Sequence, residues 1–252
     1  MKRLITTLSQ KWPELLLEGI VIVGSILLAI WLENLNEDRK DRAKEQKILK
    51  ELKSEYLANL RQLDEKTSMR NEMIESAHNI LNYIDYPMEA NRDSLLMFVS
   101  SILRDPTFDP VQNDLISSGN IRLLRNDSLR RMLSNWTTEV YQLQEVELGW
   151  QKVRTDIGAN LGITLGIARD FTDMLWKDGY TPVEALDPTL KIKRQIRATK
   201  TPVSLEAILN SRELEGFAAY VITWNQVANI QGYALRTRIE AILSQINKGI
   251  IK

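Results

Sequence analysis

Leu15-Leu-Leu-Glu-Gly-Ile-Val-Ile-Val-Gly-Ser-Ile-Leu-Leu-Ala-Ile-Trp-Leu32 is the stretch on which the reading of this chain turns. A bilayer core is crossed by roughly 20 mostly apolar helical residues, and Glu18 is the one charge in this run. At the standard helical rise the run covers roughly 27 Å, enough to span with slight thinning of the bilayer. Trp12 and Trp31 flank it, where indole rings favour the headgroup level. Pro13 suits a first helical turn, in which its missing N–H has no partner to lose. The competing reading is a cleaved signal peptide, with Lys2, Arg3 and Lys11 as its basic region. The apolar run is longer than such peptides carry, and Ile30-Trp31-Leu32-Glu33 is no small-residue cleavage site. An uncleaved anchor over 13–35 is therefore expected, behind a short basic tail, 1–12, and ahead of an extramembrane domain, 36–252.

Outward from the anchor, composition narrows the class. The 252 residues carry 33 basic and 33 acidic side chains, interleaved along the chain. That balance argues against nucleic acid as the main partner. Cysteine is absent, which excludes disulfides, thiolate metal sites and cysteine catalysis. Glycine and proline are sparse and period-two alternation is hard to find, so the fold class expected is all-α: a transmembrane helix, a long amphipathic helix and a helical bundle. Charge alone leaves sidedness open. Basic residues at 39, 40, 42, 44 and 47 slightly favour a cytoplasmic domain, yet long domains cross largely regardless of charge. A basic tail that is awkward to export tips the reading to tail inside and domain outside, periplasmic at a bacterial inner membrane.

The segment from Glu33 to Ile84 contains no helix breaker. Leu49, Leu52, Tyr56, Leu60, Leu63, Met73, Ala77, Ile80 and Ile84 recur at three- and four-residue steps, one apolar stripe on a long helix. Lys66 and Arg70 interrupt it, so bundle packing is expected in place of a clean coiled coil along the whole length. Glu37 to Glu45 forms a charged neck, and continuity with the anchor makes a rod of roughly 100 Å. Tyr86-Pro87 ends this helix. Asp93 or Ser94 is read as the cap of a short helix, Leu95 to Arg104. Val111 to Ser118 is read as a short helix stopped at Gly119-Asn120. Asn126-Asp127 caps a helix expected to run from Ser128 towards Trp176, with Met132, Trp136, Val140, Leu143, Val146 and Trp150 inward.

Within that helix Gly158, Gly162 and Gly166 share one face, the spacing that lets another helix approach closely. A tight contact inside the bundle is the reading preferred over a re-entrant membrane contact. Asp178-Gly179 breaks the helix. The basic cluster Lys191, Lys193, Arg194, Arg197 and Lys200 is read as a solvated face ahead of a headgroup-binding one. Asn210 is read as the cap of the last helix. That helix carries Leu214, Phe217, Val221, Trp224, Ile230, Leu235, Ile239, Ile242, Leu243 and Ile246 inward.

Glu18 is the strongest functional lead, because an ionisable group at membrane depth is rare. Helical geometry lines up Glu18, Ile22, Ser25, Ala29 and Leu32, a polar group followed by small ones, as helix–helix contacts in lipid use. The alternative is a Glu18 that snorkels to the boundary. His78 is the single histidine and reads as a bundle-face residue. No phosphate loop, nucleophile elbow or histidine pair is present. Asp105, Asp109 and Asp114 match no calcium loop, and read as caps and turn formers.

Three stretches together resemble a bacterial family of uncharacterised single-pass membrane proteins. They are the anchor and its exit (Glu18, Gly24, Ala29, Asn34, Asn36, Glu37, Arg39), the segment Leu115 to Asn126, and Leu209 to Leu214. Leu35 stands where the family usually has Trp, and Glu18-Gly19 reverses its usual Gly-Glu order. The resemblance implies an N-terminal anchor with a helical C-terminal domain and brings no activity. The expected function is a non-catalytic interaction or sensory module without a cofactor. Its expected partners are membrane lipids and either a second copy or another membrane protein. The alternative is a homo-oligomeric scaffold or small channel-like assembly through Glu18, Ser25 and Ala29.

Overall fold

The computed structural model describes residues 2–111, 115, 119–177 and 196–251, with the side chains of residues 2–16, 175 and 177 outside that description. The expected roles of Trp12 and Pro13 therefore lie outside the described residues. So do most of the helix expected over 111–118, the break at Asp178-Gly179, and the basic cluster as far as Arg194. Among the described residues the fold is all-α, with no strand.

Helix α1 runs unbroken from Lys2 to Asp85, about 126 Å at the standard rise. Its apolar part from Leu17 is the one candidate membrane span among the described residues, and none of that part is buried in the protein. The same helix then becomes the spine of the domain, burying Leu49, Leu52, Tyr56, Leu63, Met73, Ala77 and Ile80. It stops one residue before Tyr86, and a 3-10 turn at Pro87–Glu89 follows. Helix α2, Arg92–Ser101, is capped by Asn91, whose side chain accepts from Ser94 N. The cap thus falls earlier than Asp93 or Ser94, because Asn91 is the residue with extended backbone next to the first turn.

Helix α3, Asp127–Val153, is capped by Asn126, which accepts from Leu129 N at 3.1 Å. It runs parallel to α1: Arg125 N reaches Glu45, Trp136 packs on Tyr56 at 5.1 Å, and Glu147 meets Arg70. The single long helix expected towards Trp176 is divided. A π-helical segment, Arg154–Gly158, leads into the short helix α4, Ala159–Thr164. Gly166, at φ 67°, then ends α4. Ile167 N donates to Gly162 O at 2.9 Å and Gly166 N to Ile163 O at 3.0 Å, the paired bonds of a glycine-terminated helix. Helix α5, Ala168–Lys177, starts afresh and folds back on α2.

Helix α6 is Leu205–Leu209, capped by Ser204. Helix α7, Arg212–Gly249, is capped by Ser211, whose hydroxyl accepts from Leu214 N. Ser211 displaces the expected Asn210, which ends α6. Helix α7 returns antiparallel along α1 and α3. Asn229 meets Asn71, Arg236 meets Asp64, and Gly249 lies against Leu49. Gln46 fastens its end, donating to Gly249 O and accepting from Ile251 N, both at 2.8 Å. Ile230 faces outward; Asn225, Ala228, Asn229 and Gly232 carry the buried stripe past it at three- and four-residue steps.

The core divides into two apolar clusters. The one nearer the anchor joins Leu49–Leu63 of α1, Leu129–Leu143 of α3 and Ala228–Ile246 of α7. The far one joins Met73–Ile80 with α2, Trp150, Leu161, Ile167 and Leu214–Val221.

Candidate functional site

Between the two clusters lies a layer of buried polar groups, and Arg70 is its centre. Its side chain is fully inaccessible, and it pairs with Glu147, whose side chain is 4 % exposed. Position 70 belongs to the inward face of α1 between Leu63 and Met73, so a guanidinium placed there has no route to water. The pair is tied to the loop that follows α2. Arg70 Nη2 donates to Pro106 O at 2.9 Å, and Phe108 N donates to both Glu147 oxygens, at 3.1 and 3.2 Å. Asn59, one turn before Leu63 on the same face, holds the next part of that loop: Val111 N donates to its Oδ1 at 2.8 Å and its Nδ2 donates to Val111 O at 3.1 Å. Two polar side chains of α1 and one of α3 thus clamp residues 106–111 onto the bundle.

The electrostatics follow from burial. Loss of solvent pushes the Glu147 carboxyl up to about 7, against the opposing pull of Arg70 and the Phe108 N–H. Asp105 adds to the rise and Lys66 opposes it. Burial likewise lowers Arg70, with Glu147 opposing. Glu147 therefore binds its proton more tightly folded than unfolded, where about 4.5 applies. The folded chain carries more protons between those values, so unfolding free energy falls as pH rises from about 4.5 to about 7. Chaotrope unfolding of the full chain in detergent across that window should show this fall, and Glu147→Gln should flatten it. A wild-type stability that climbs with pH to the same degree in both proteins would contradict the assignment.

A polar cleft of about 480 Å³ opens beside the clamp, lined by Gln62, Lys66, Asp105, Asp109, Gln144 and Gln151 among others. Arg154 bonds Asp105 at its rim, 2.9 Å away. His78 is exposed and takes no part. Among the described residues no cluster of His, Asp and Glu has metal-binding geometry.

The residues singled out in the anchor stand apart from this clamp. Glu18, Ile22, Ser25 and Ala29 are all exposed on α1. Ser25 donates to Val21 O at 2.7 Å, one turn back, and added side-chain atoms at Gly19 or Gly24 would meet nothing. The three spaced glycines do not form one helix face against a neighbouring backbone. A Cβ on Gly158 would lie 2.6 Å from the Phe217 ring and 2.9 Å from Leu103, and one on Gly162 would lie 2.4 Å from Phe171. Gly166 is the left-handed turn residue. Close approach is real at all three, but it is to side chains inside the bundle: the Phe217 ring and Leu103 at Gly158, the Phe171 ring at Gly162, and Val203, 2.9 Å from a Cβ built on Gly166. This region packs with Ile80 in the far cluster, roughly 70 Å along α1 from Leu32.

Sequence reasoning met Arg70 as an interruption of the stripe and passed over Glu147. The available signal was the register: Glu147 falls among Leu143, Val146 and Trp150, on the inward face of α3. No protein-family model, curated protein or solved structure matches the chain.

Proposed function

We propose that this chain is a single-pass, membrane-anchored helical module that acts by binding a partner or ligand, without catalysis. On this reading the tail lies inside and the domain on the periplasmic side of a bacterial inner membrane. The chain then belongs with the single-pass family it resembles. The observation that carries the proposal is the continuity of α1, an uncovered apolar helix that becomes the buried spine of the domain without a joint. Anything that turns or shifts the anchor then moves the clamped core, and anything bound at the core is felt at the anchor. Carbonate extraction of membranes, with topology reporters fused at both termini, tests this. The chain should stay in the pellet, with only a C-terminal periplasmic reporter active. Release into the supernatant overturns the anchor, and the reverse reporter pattern overturns the sidedness.

A second reading is a homo-oligomeric scaffold or channel-like assembly through Glu18, Ile22, Ser25 and Ala29. It is favoured by a face that the monomer leaves uncovered, in which the Ser25 hydroxyl folds back on its own helix. The chain has no cysteine, so single substitutions report cleanly. Cysteines at positions 25 and 29 should crosslink in native membranes, while those at 20 and 27, on the opposite face, should not. Equal crosslinking all round the helix, or none, removes this reading.

A further inference from the structure

We propose that the polar cleft beside the clamp binds a free amino acid, with Lys66 meeting its carboxylate and Asp109 its ammonium. The inference rests on the reading of the chain as a non-catalytic binding module and gives that module a ligand class. It does not depend on which side of a membrane the domain occupies. The fold builds the cleft from three pieces. Helix α1 supplies Gln62 and Lys66, the loop after α2 supplies Asp105 and Asp109, and α3 supplies Gln144 and Gln151.

The clamp brings the two charges to one level. Pro106 is tied to Arg70 and Val111 to Asn59, so the loop runs back along α1 and Asp109 passes the level of Gln62 and Lys66. Burial alternates along it: Pro106, Phe108 and Pro110 are buried, while Thr107 and Asp109 are exposed. On α3, Gln144 and Gln151 stand one turn either side of Glu147, the residue that holds Phe108 N. The space between these walls, about 480 Å³, falls within the range of small-molecule sites.

Of the two acids at the cleft, Asp105 is engaged: it bonds Arg154 at 2.9 Å and accepts from the Thr107 hydroxyl. Asp109 and Lys66 have no hydrogen-bond or ion-pair partner among the described residues, and they do not close on each other. A free ammonium and a free carboxylate held apart across one cleft match a small molecule that carries both charges. An α-amino acid does so, and the carboxamides of Gln62, Gln144 and Gln151 both donate and accept, as its two ends require. Gln62 Oε1 is withdrawn from solvent without a donor, a costly state for an acceptor. The terminal torsion of Gln is soft, so a half-turn presents that oxygen to a bound ammonium. Other classes fit less well. A simple anion at Lys66 would face Asp109, and a simple cation at Asp109 would face Lys66. A sugar ring has nothing to stack on, because Phe108, the aromatic residue of the cleft, is 0 % exposed.

The test is equilibrium dialysis of the full chain in detergent against a radiolabelled mixture of the standard amino acids at submillimolar concentration. Label should be retained on the chain, and chromatography of the retained fraction identifies which amino acid it is. Lys66→Gln and Asp109→Asn should each weaken retention by about tenfold to a hundredfold, the worth of a hydrogen bond to a charged group. Helical content should stay unchanged in both variants, because neither side chain holds a structural partner. Acetate and methylamine, each carrying one of the two charges, should compete at least about tenfold less well than the unlabelled amino acid, by the same measure. No retained label, or retention equal in the wild type and both variants, overturns the cleft as an amino-acid site. Displacement by acetate as effective as that by the amino acid overturns the two-charge ligand class. Label that is recovered chemically altered overturns the non-catalytic reading beneath the proposal.

Discussion

Glu147→Ala is expected to lower the unfolding free energy by about 3–5 kcal/mol, the largest effect of any single truncation in the domain alongside that at Phe217. The substitution leaves the Arg70 charge buried at 0 % exposure with Pro106 O as its remaining bonded partner, and it frees the Phe108 amide as well. Nε and Nη1 of Arg70 already lack partners among the described residues, so nothing nearby can take over the charge. The double change Arg70→Met with Glu147→Leu should recover most of the loss, since well-packed apolar pairs commonly match or exceed buried ion pairs. Chaotrope unfolding followed by helical circular dichroism measures both. A double variant as unstable as the single one would mean that the clamp on residues 106–111, rather than the unpaired charge, sets the cost.

Phe217→Ala is expected to cost about 3–5 kcal/mol as well, by a different route. Phe217 is 1 % exposed, stacks on Trp150 with centroids 5.8 Å apart, and occupies the space that Gly158 leaves open. Its removal leaves a cavity between α3, α7 and the π-helical segment. The converse change, Gly158→Ala, drives a methyl to 2.6 Å from the same ring and should cost about 1–3 kcal/mol. Pairing Gly158→Ala with Phe217→Leu should give less loss than the sum of the two single changes. Strict additivity would show that the ring and the glycine do not share the space.

The sequence makes the long elements legible because each obeys one repeating rule. The stripe of α1, the inward face of α3 from Met132 to Trp150, and most of α7 follow helical spacing over many turns. What it hides are places where one contact outweighs the repeat. Ile230 fits the apolar expectation by type, yet Asn225 and Asn229 take the inward positions because the polar layer lies there. Ser211 caps α7 in place of Asn210 because α6 ends on Asn210 first. The helix through residues 154–166 looks continuous by composition, but Gly166 at φ 67° ends it. The Arg70–Glu147 pair joins residues 77 positions apart, and no local pattern names a partner at that distance.

An unbroken α1 also makes the neck a gear of fixed phase. At 3.6 residues per turn, each residue added between the anchor and Glu45 rotates the bundle about 100° around the helix axis and lifts it about 1.5 Å. The number of residues in the neck therefore sets which azimuth of the domain lies over a given face of the apolar segment. Two insertions that leave composition almost unchanged would point opposite sides of the same folded domain at the same target.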